Sequence, residues 1–194
     1  MLRVRTVISL LLAFAVQCAG AQANDARAAV LPPLEGTSFA GSPVKFPDAL
    51  RGRVNVLVIG FARDSQESAQ AWGKALAAHY PADSGVMYYE LPVVADVPSL
   101  LRNWVIGRIR HSISVAARPH FVPVIDDEAA WKQAAGAGPE SDACVLVVDG
   151  QGSVRWHYQG ASSAEKFAEL ERAVSGLQPG GGLTHPGKLP SGNN

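Results

Sequence analysis

The run Val54-Asn55-Val56-Leu57-Val58-Ile59-Gly60-Phe61 constrains this chain more than any other segment. Its residues are β-branched or large and apolar almost without interruption, so a strand built from them has no face suited to water. It belongs in the interior of a sheet covered on both sides, and the rest of the sequence supplies partners and covering layers in alternation. Asp64 with Glu67 is a capping-box pattern, and Ala69, Trp72, Leu76 and Tyr80 follow at helical spacing. Val86 to Leu91 is a second strand stopped by Pro92, and Pro98 with Ser99 opens a second helix that runs to about Ile113. Phe121 to Ile125 reads as a short strand that Pro123 confines to an edge or a bulge. Asp126 or Asp127 then caps a short helix holding Ala130, Trp131 and Ala134. Cys144 to Val148, the turn Asp149-Gly150-Gln151-Gly152 and Val154 to Tyr158 make a β-hairpin. Ser162 with Glu165 caps a last helix whose inner stripe is Phe167, Leu170, Val174 and Leu177. The predicted class is α/β, a central mixed sheet flanked by helices.

The two ends read differently. Arg3 and Arg5 precede the apolar run Val7 to Val16, and small residues follow, the pattern of a secretory signal over 1–23. Ala19-Gly20-Ala21 and Ala21-Gln22-Ala23 both offer cleavage sites, so the expected location is periplasmic or secreted. A lipid anchor on Cys18 is a lesser alternative, because the large Gln17 precedes that cysteine. Residues 24–33 read as a linker, 34–177 as the folded domain, and 178–194 as a Gly/Pro-rich tail with too few apolar groups to offset ordering entropy. Lys and Arg total 17, as do Asp and Glu, so no global field draws the chain to nucleic acid. The domain keeps one cysteine, Cys144, and so forms no internal disulfide; its stability must come from the core. No metal set is evident, since His111 and His120 are nine residues apart without cysteine partners, and no cofactor motif stands out. His79, Asp83, His157 and Asp126-Asp127 read as surface groups and caps.

The order of strand, helix, strand, helix, the Val147-Val148-Asp149-x-x-Gly152 hairpin and a closing helix resembles the thioredoxin fold over Leu34 to Leu177. Pro47-Asp48-Ala49-Leu50-Arg51-Gly52-Arg53 is similar to the entry segment of the redoxin and membrane-anchored thioredoxin families. Phe121 to Asp126 resembles the inserted strand of the peroxiredoxin-like branch. The resemblance implies a redox turn at the start of the first helix, here Ala62 to Ser68. Ser65 and Ser68 stand at the spacing of the family's C-x-x-C, and equally of the T-x-x-C of peroxiredoxins. A helix N-terminus activates a thiolate, but a serine alkoxide is inaccessible near neutral pH without a paired base, and no histidine is local. The resemblance also implies a cis-proline before the hairpin strand, where this chain has Ala143. Ser65, Ser68 and Ala143 thus mark a degenerate redox turn, with both serines expected to cap and solvate the helix start. Cys144, inside an apolar strand, is expected to be an inert small hydrophobe. The alternative is a degenerate thiol oxidoreductase or peroxidase using that single cysteine.

Leu91-Pro92-Val93-Val94, Arg102-Asn103-Trp104, the run Gly107 to Ile113 and Val147 to Trp156 together resemble the cysteine-less assembly factor family of the mitochondrial ATP synthase membrane sector and its bacterial relatives. That resemblance implies a chaperone or assembly role without turnover. Independently, Val97 to Ile125 contains no Asp or Glu yet carries Arg102, Arg108, Arg110 and Arg118. Arg102, Trp104, Arg108 and Arg110 are therefore the candidate contact residues, for an anionic membrane surface or a membrane-protein client. The competing reading places Trp104 and the isoleucines in the core, with the arginines as their solvated side.

Overall fold

The structure is a computed structural model that describes residues 29–138 and 141–178. The expected signal segment, Cys18 and residues 179–194 of the expected tail lie outside the described residues. The chain joins the domain at Ala29, inside the expected linker: Val154 N–H donates to the Ala29 carbonyl at 2.8 Å, and Leu31 N–H to that of Gly152 at 3.0 Å.

A small antiparallel hairpin, β1 (Leu34–Thr37) and β2 (Pro43–Phe46), comes first and was not expected. The main sheet follows, built from β3 (Val54–Gly60), β4 (Val86–Pro92), β5 (Cys144–Val148) and β6 (Val154–Gln159) in the order β4-β3-β5-β6. β3 runs parallel to β4 and antiparallel to β5, so the sheet is mixed. The helices are α1 (Gln66–His79), α2 (Ser99–Ser112), α3 (Glu128–Ala135) and α4 (Ala164–Ser175).

The apolar run behaves as its composition requires. Val54, Val56 and Val58 join Trp72 and Leu76 of α1 and Leu170 and Val174 of α4. Leu57 and Ile59 point the other way, to Phe46, Val122, Val124 and Trp131. The period of two sorts one strand between two cores. Asn55, fully buried, is the polar exception. Its Nδ2 donates to the carbonyls of Leu50 and Arg53 at 2.9 and 3.0 Å, stapling the approach to the strand.

Three local signals are resolved by the structure. Asp127, not Asp126, caps α3, accepting from Ala130 N–H at 3.3 Å. Ser163 caps α4 in place of Ser162, accepting from Lys166 N–H at 3.2 Å. The expected strand at Phe121–Ile125 lies along the free edge of β4 as isolated bridges, Glu90 with Phe121 and Val93 with Val124. Val122 and Val124 donate to the Glu90 and Pro92 carbonyls, whereas Pro123 has no N–H to continue a ladder. In the β5–β6 turn, Asp149 Oδ1 accepts from Gln151 and Ser153 N–H, both at 2.9 Å, and Gly152 takes a φ of +84° that a side chain would resist. Arg155 Nε holds the other carboxylate oxygen at 2.7 Å.

Candidate functional site

The turn that follows β3 is a 3-10 segment, Arg63–Ser65, leading directly into α1. Asp64 does not cap the helix; Ser65 occupies that position and makes no side-chain capping bond. Neither serine is solvated as expected, for Ser65 is 1% exposed and Ser68 5%. The Ser65 hydroxyl donates back to the Ala62 carbonyl at 2.6 Å and sits so close over Gly60 that a Cβ there would approach it to 2.8 Å. The Ser68 hydroxyl donates to the Ser65 carbonyl at 3.1 Å and accepts from the Ala143 N–H at 2.9 Å.

That last bond joins two departures from the redox pattern. Proline has no N–H to give, so the hydroxyl at 68 is satisfied because position 143 is alanine. The peptide before Ala143 is trans, and Ala143 is fully buried. Serine and alanine together turn the site into a closed internal contact. Cys144 cannot stand in for the missing sulfur there. It belongs to the core on the α3 side of the sheet, opposite Ile59, whereas Ala143 and α1 belong to the other side, and it has no exposed surface. A thiol so enclosed is not an accessible nucleophile.

Beside the turn lies a cavity of about 830 Å³, lined by the turn, the C-terminal end of β4 and the inner side of α2. Glu90 stands in its wall, buried to 7% exposure on β4. No hydrogen bond or ion pair from the described residues reaches its carboxyl. Burial pushes its pKa up to about 8, so at neutral pH the group is chiefly a neutral acid. On its other side it lies against the backbone of α1 at Gly73, where any Cβ would collide with Oε1. Sequence reasoning missed Glu90 and Gly73, although both left a signal: a lone carboxylate in a strand otherwise buried, and a glycine in the middle of a helix that alanine would suit better by about 1 kcal/mol.

α2 is placed unlike the other helices, because none of its residues is buried. Leu100, Leu101 and Trp104 are exposed at 94%, 55% and 64%. The Arg108 guanidinium lies over the Trp104 ring at 5.4 Å from its centroid, and Arg110 is exposed on the following turn. Trp104 is thus not a core residue. Arg102 is engaged elsewhere: half-buried, it donates through Nη2 to the Ala95 and Val97 carbonyls at 2.9 and 3.2 Å, holding the loop that precedes the helix. Arg118 is likewise half-buried, with its Nε inside the protein. His111 and His120 are occupied by backbone carbonyls, those of Gly107 and Tyr88 at 2.6 and 3.0 Å.

No protein-family model matches the chain, and no curated protein does. Solved structures do. A protein described as the thiol:disulfide interchange protein DsbE of Chlorobium tepidum superposes with a TM-score of 0.53 at 17% identity, covering 76% of this chain and 94% of its own. The exposed lipoprotein thioredoxin Etrx1 of Streptococcus pneumoniae gives 0.50 at 12% identity over 72% and 97%. BsSco, of the Sco family of cytochrome c oxidase assembly proteins, gives 0.50 at 12% identity over 75% and 94%. The fold is thioredoxin-like. At these identities the likeness extends to the fold and no further. Within this thioredoxin-like frame the first-helix turn carries Ser65 and Ser68, and the exposed apolar surface lies on α2.

Proposed function

We propose that this is an exported, non-catalytic thioredoxin-like protein that acts by binding, as a chaperone or assembly factor at a membrane surface, and that α2 is its contact element. The observation that carries the reading is a 14-residue helix with no buried residue that presents Leu100, Leu101 and Trp104 to solvent. An exposed apolar surface of this kind is what interaction sites present. Trp and Arg are the side chains that dominate interface energies, and Trp104 with Arg108 and Arg110 forms such a group. The partner fitted by this surface is the acidic, partly apolar segment of a membrane-protein client. Bare lipid is the poorer match, because with Arg102 and Arg118 turned inward only Arg108 and Arg110 remain on the contact face, each worth about 1 kcal/mol near an anionic surface.

An assembly role agrees with the resemblance to the cysteine-less assembly factors. Export agrees with the segment over 1–23 and with an exposed lipoprotein among the similar structures. The enclosure of Cys144 on the far face of the sheet weighs against the alternative of a single-cysteine oxidoreductase.

A photocrosslinking residue at Leu101, with a control at Lys74 on α1, tests the reading in solubilised membranes. The expected result is an acidic membrane protein crosslinked from position 101 alone, with the product lost in Arg108→Gln/Arg110→Gln and at high salt. Equal products from both positions, or a product indifferent to the arginines, would overturn it. Retention by protein-free anionic vesicles would show instead that the surface meets lipid.

A further inference from the structure

The cavity beside the degenerate turn is a second feature; α2 forms part of its wall, and Trp104 and Arg108 of the contact face border it. Its volume, about 830 Å³, falls within the range of small-molecule sites. Val58, Ala69, Leu91, Val93 and Ile109 make much of its wall apolar. At the rim, Arg63 and Arg108 stand with Asp96 and Glu128, and Glu128 is already paired with Lys132. Two polar side chains in that wall are more than nine-tenths buried: Ser65, whose hydroxyl donates to the Ala62 carbonyl, and Glu90, whose carboxyl no described residue satisfies. A buried polar group without a partner costs free energy and calls for an explanation in what it meets.

We propose that this cavity is a binding site for an uncharged, largely apolar small molecule bearing a carbonyl oxygen, which accepts a hydrogen bond from the Glu90 carboxyl.

The protonation state decides between ligand chemistries. A carboxyl kept neutral by an apolar site donates to an oxygen, as buried acids do in enzymes that polarise carbonyl groups. An ammonium ligand would have to ionise Glu90 and lose its own water as well, and a carboxylate would lose its water against the apolar wall beside a second acid. A neutral carbonyl needs neither change, and its hydrocarbon body finds the apolar wall. The bond also gives the Glu90 carboxyl a partner that no described residue supplies.

Three probes sharing an eight-carbon body separate these cases in the full chain: 2-octanone, octylammonium and octanoate. By calorimetry 2-octanone should bind saturably and more tightly than either ion, and in infrared spectra its carbonyl stretch should move to lower wavenumber when bound. Glu90→Leu keeps the apolar volume and should lose about tenfold in affinity together with the spectral shift. Glu90→Gln, which still offers an N–H, should keep most of both. Val93→Phe, half-buried in the cavity wall, should block binding without touching Glu90. Tighter binding of octylammonium or octanoate, an unshifted carbonyl stretch, equal affinity in wild type and Glu90→Leu, or no saturable binding by any probe would each overturn the assignment.

Discussion

α1 and α2 are both 14 residues long, yet α1 buries Ser68, Trp72, Gly73 and Leu76 while α2 buries nothing. The difference is one of alignment rather than apolar content. In α1 the buried positions 68, 72 and 76 are four apart and form one stripe, with Gly73 beside it where Glu90 approaches. In α2 the apolar residues Leu100, Leu101, Trp104, Val105, Ile106 and Ile109 are spread around the helix, so no single rotation hides them. Burial on α1 serves the fold. The unhidden side chains of α2 contribute little to stability and are available to something else.

The sharpest test of this contrast exchanges the two tryptophans for alanine. Trp72 has no exposed surface, its Nε1 donates to the Gly160 carbonyl at 3.0 Å, and its ring packs on Phe167 and Tyr158. Trp72→Ala should cost about 3–5 kcal/mol in urea unfolding. Trp104→Ala should change stability by no more than about 0.5 kcal/mol. Comparable losses would mean that α2 packs as α1 does.

The next effect has the opposite sign. The Glu90 carboxyl titrates near 8 in the folded chain against an ordinary value of 4.5. Below pH 4.5 both states are protonated and the group is without effect. As pH rises from there toward 8 the unfolded chain ionises freely while the fold holds the proton, so stability falls over that window and levels off above it. The neighbouring Tyr88 phenol is pushed up by burial and then by the Glu90 charge, so it stays neutral over this range. Glu90→Gln should therefore stabilise the protein by on the order of 3 kcal/mol at pH 7, with the gain vanishing near pH 4. Chemical denaturation at the two pH values measures it. A gain that is independent of pH would show that the carboxyl is solvated, and the contrast between a packed α1 and an open α2 would then lose its inner wall.

A smaller loss is expected from the joint between α1 and β5. Ser68→Ala leaves the buried Ala143 N–H without its acceptor and should cost about 1–3 kcal/mol. Ala143→Pro deletes the donor of the same bond, so the double variant should cost clearly less than the two single losses combined, as contacting residues do. Additive losses would mean that the hydroxyl and the amide act separately.

How legible these features are in the sequence depends on how local their cause is. The strand Val54–Gly60 declares itself through its own composition, and the β5–β6 hairpin through Asp149 and Gly152. The helix caps are displaced because neighbouring residues compete: Ser162 and Ser163 can each cap, and tertiary packing chooses the second. β1 and β2 escape because each is four residues long and contains Gly36 or Pro43, residues that weaken a strand pattern. At the site, the serines and Ala143 are visible one by one, but the bond between Ser68 and Ala143 spans 75 positions and exists only in the folded chain. Arg102 misleads in a similar way. Its place on a basic helix suggests a free cation, whereas its partners, the Ala95 and Val97 carbonyls, belong to a loop whose path no periodicity reveals.

The last test should leave stability almost untouched. Leu100 and Leu101 are exposed at the start of α2, and Trp104 follows one turn later. Replacing Leu100 and Leu101 by Gln and Trp104 by Ala removes the exposed apolar side chains while keeping residues with good helix propensity. Because none of the three is buried, the unfolding midpoint should move by less than the equivalent of about 0.5 kcal/mol for each position. Hydrophobic contact with a partner would be lost at the same time, so crosslinking from a probe at Asn103 should fall to the level of the α1 control. If the triple variant instead lowers the midpoint strongly, α2 is covered by part of the chain itself and its apolar residues serve the fold after all. If stability and crosslinking are both unchanged, the contact lies elsewhere, and an open α2 has no part in it. Only lost contact at constant stability is consistent with two helices of equal length divided between fold and function.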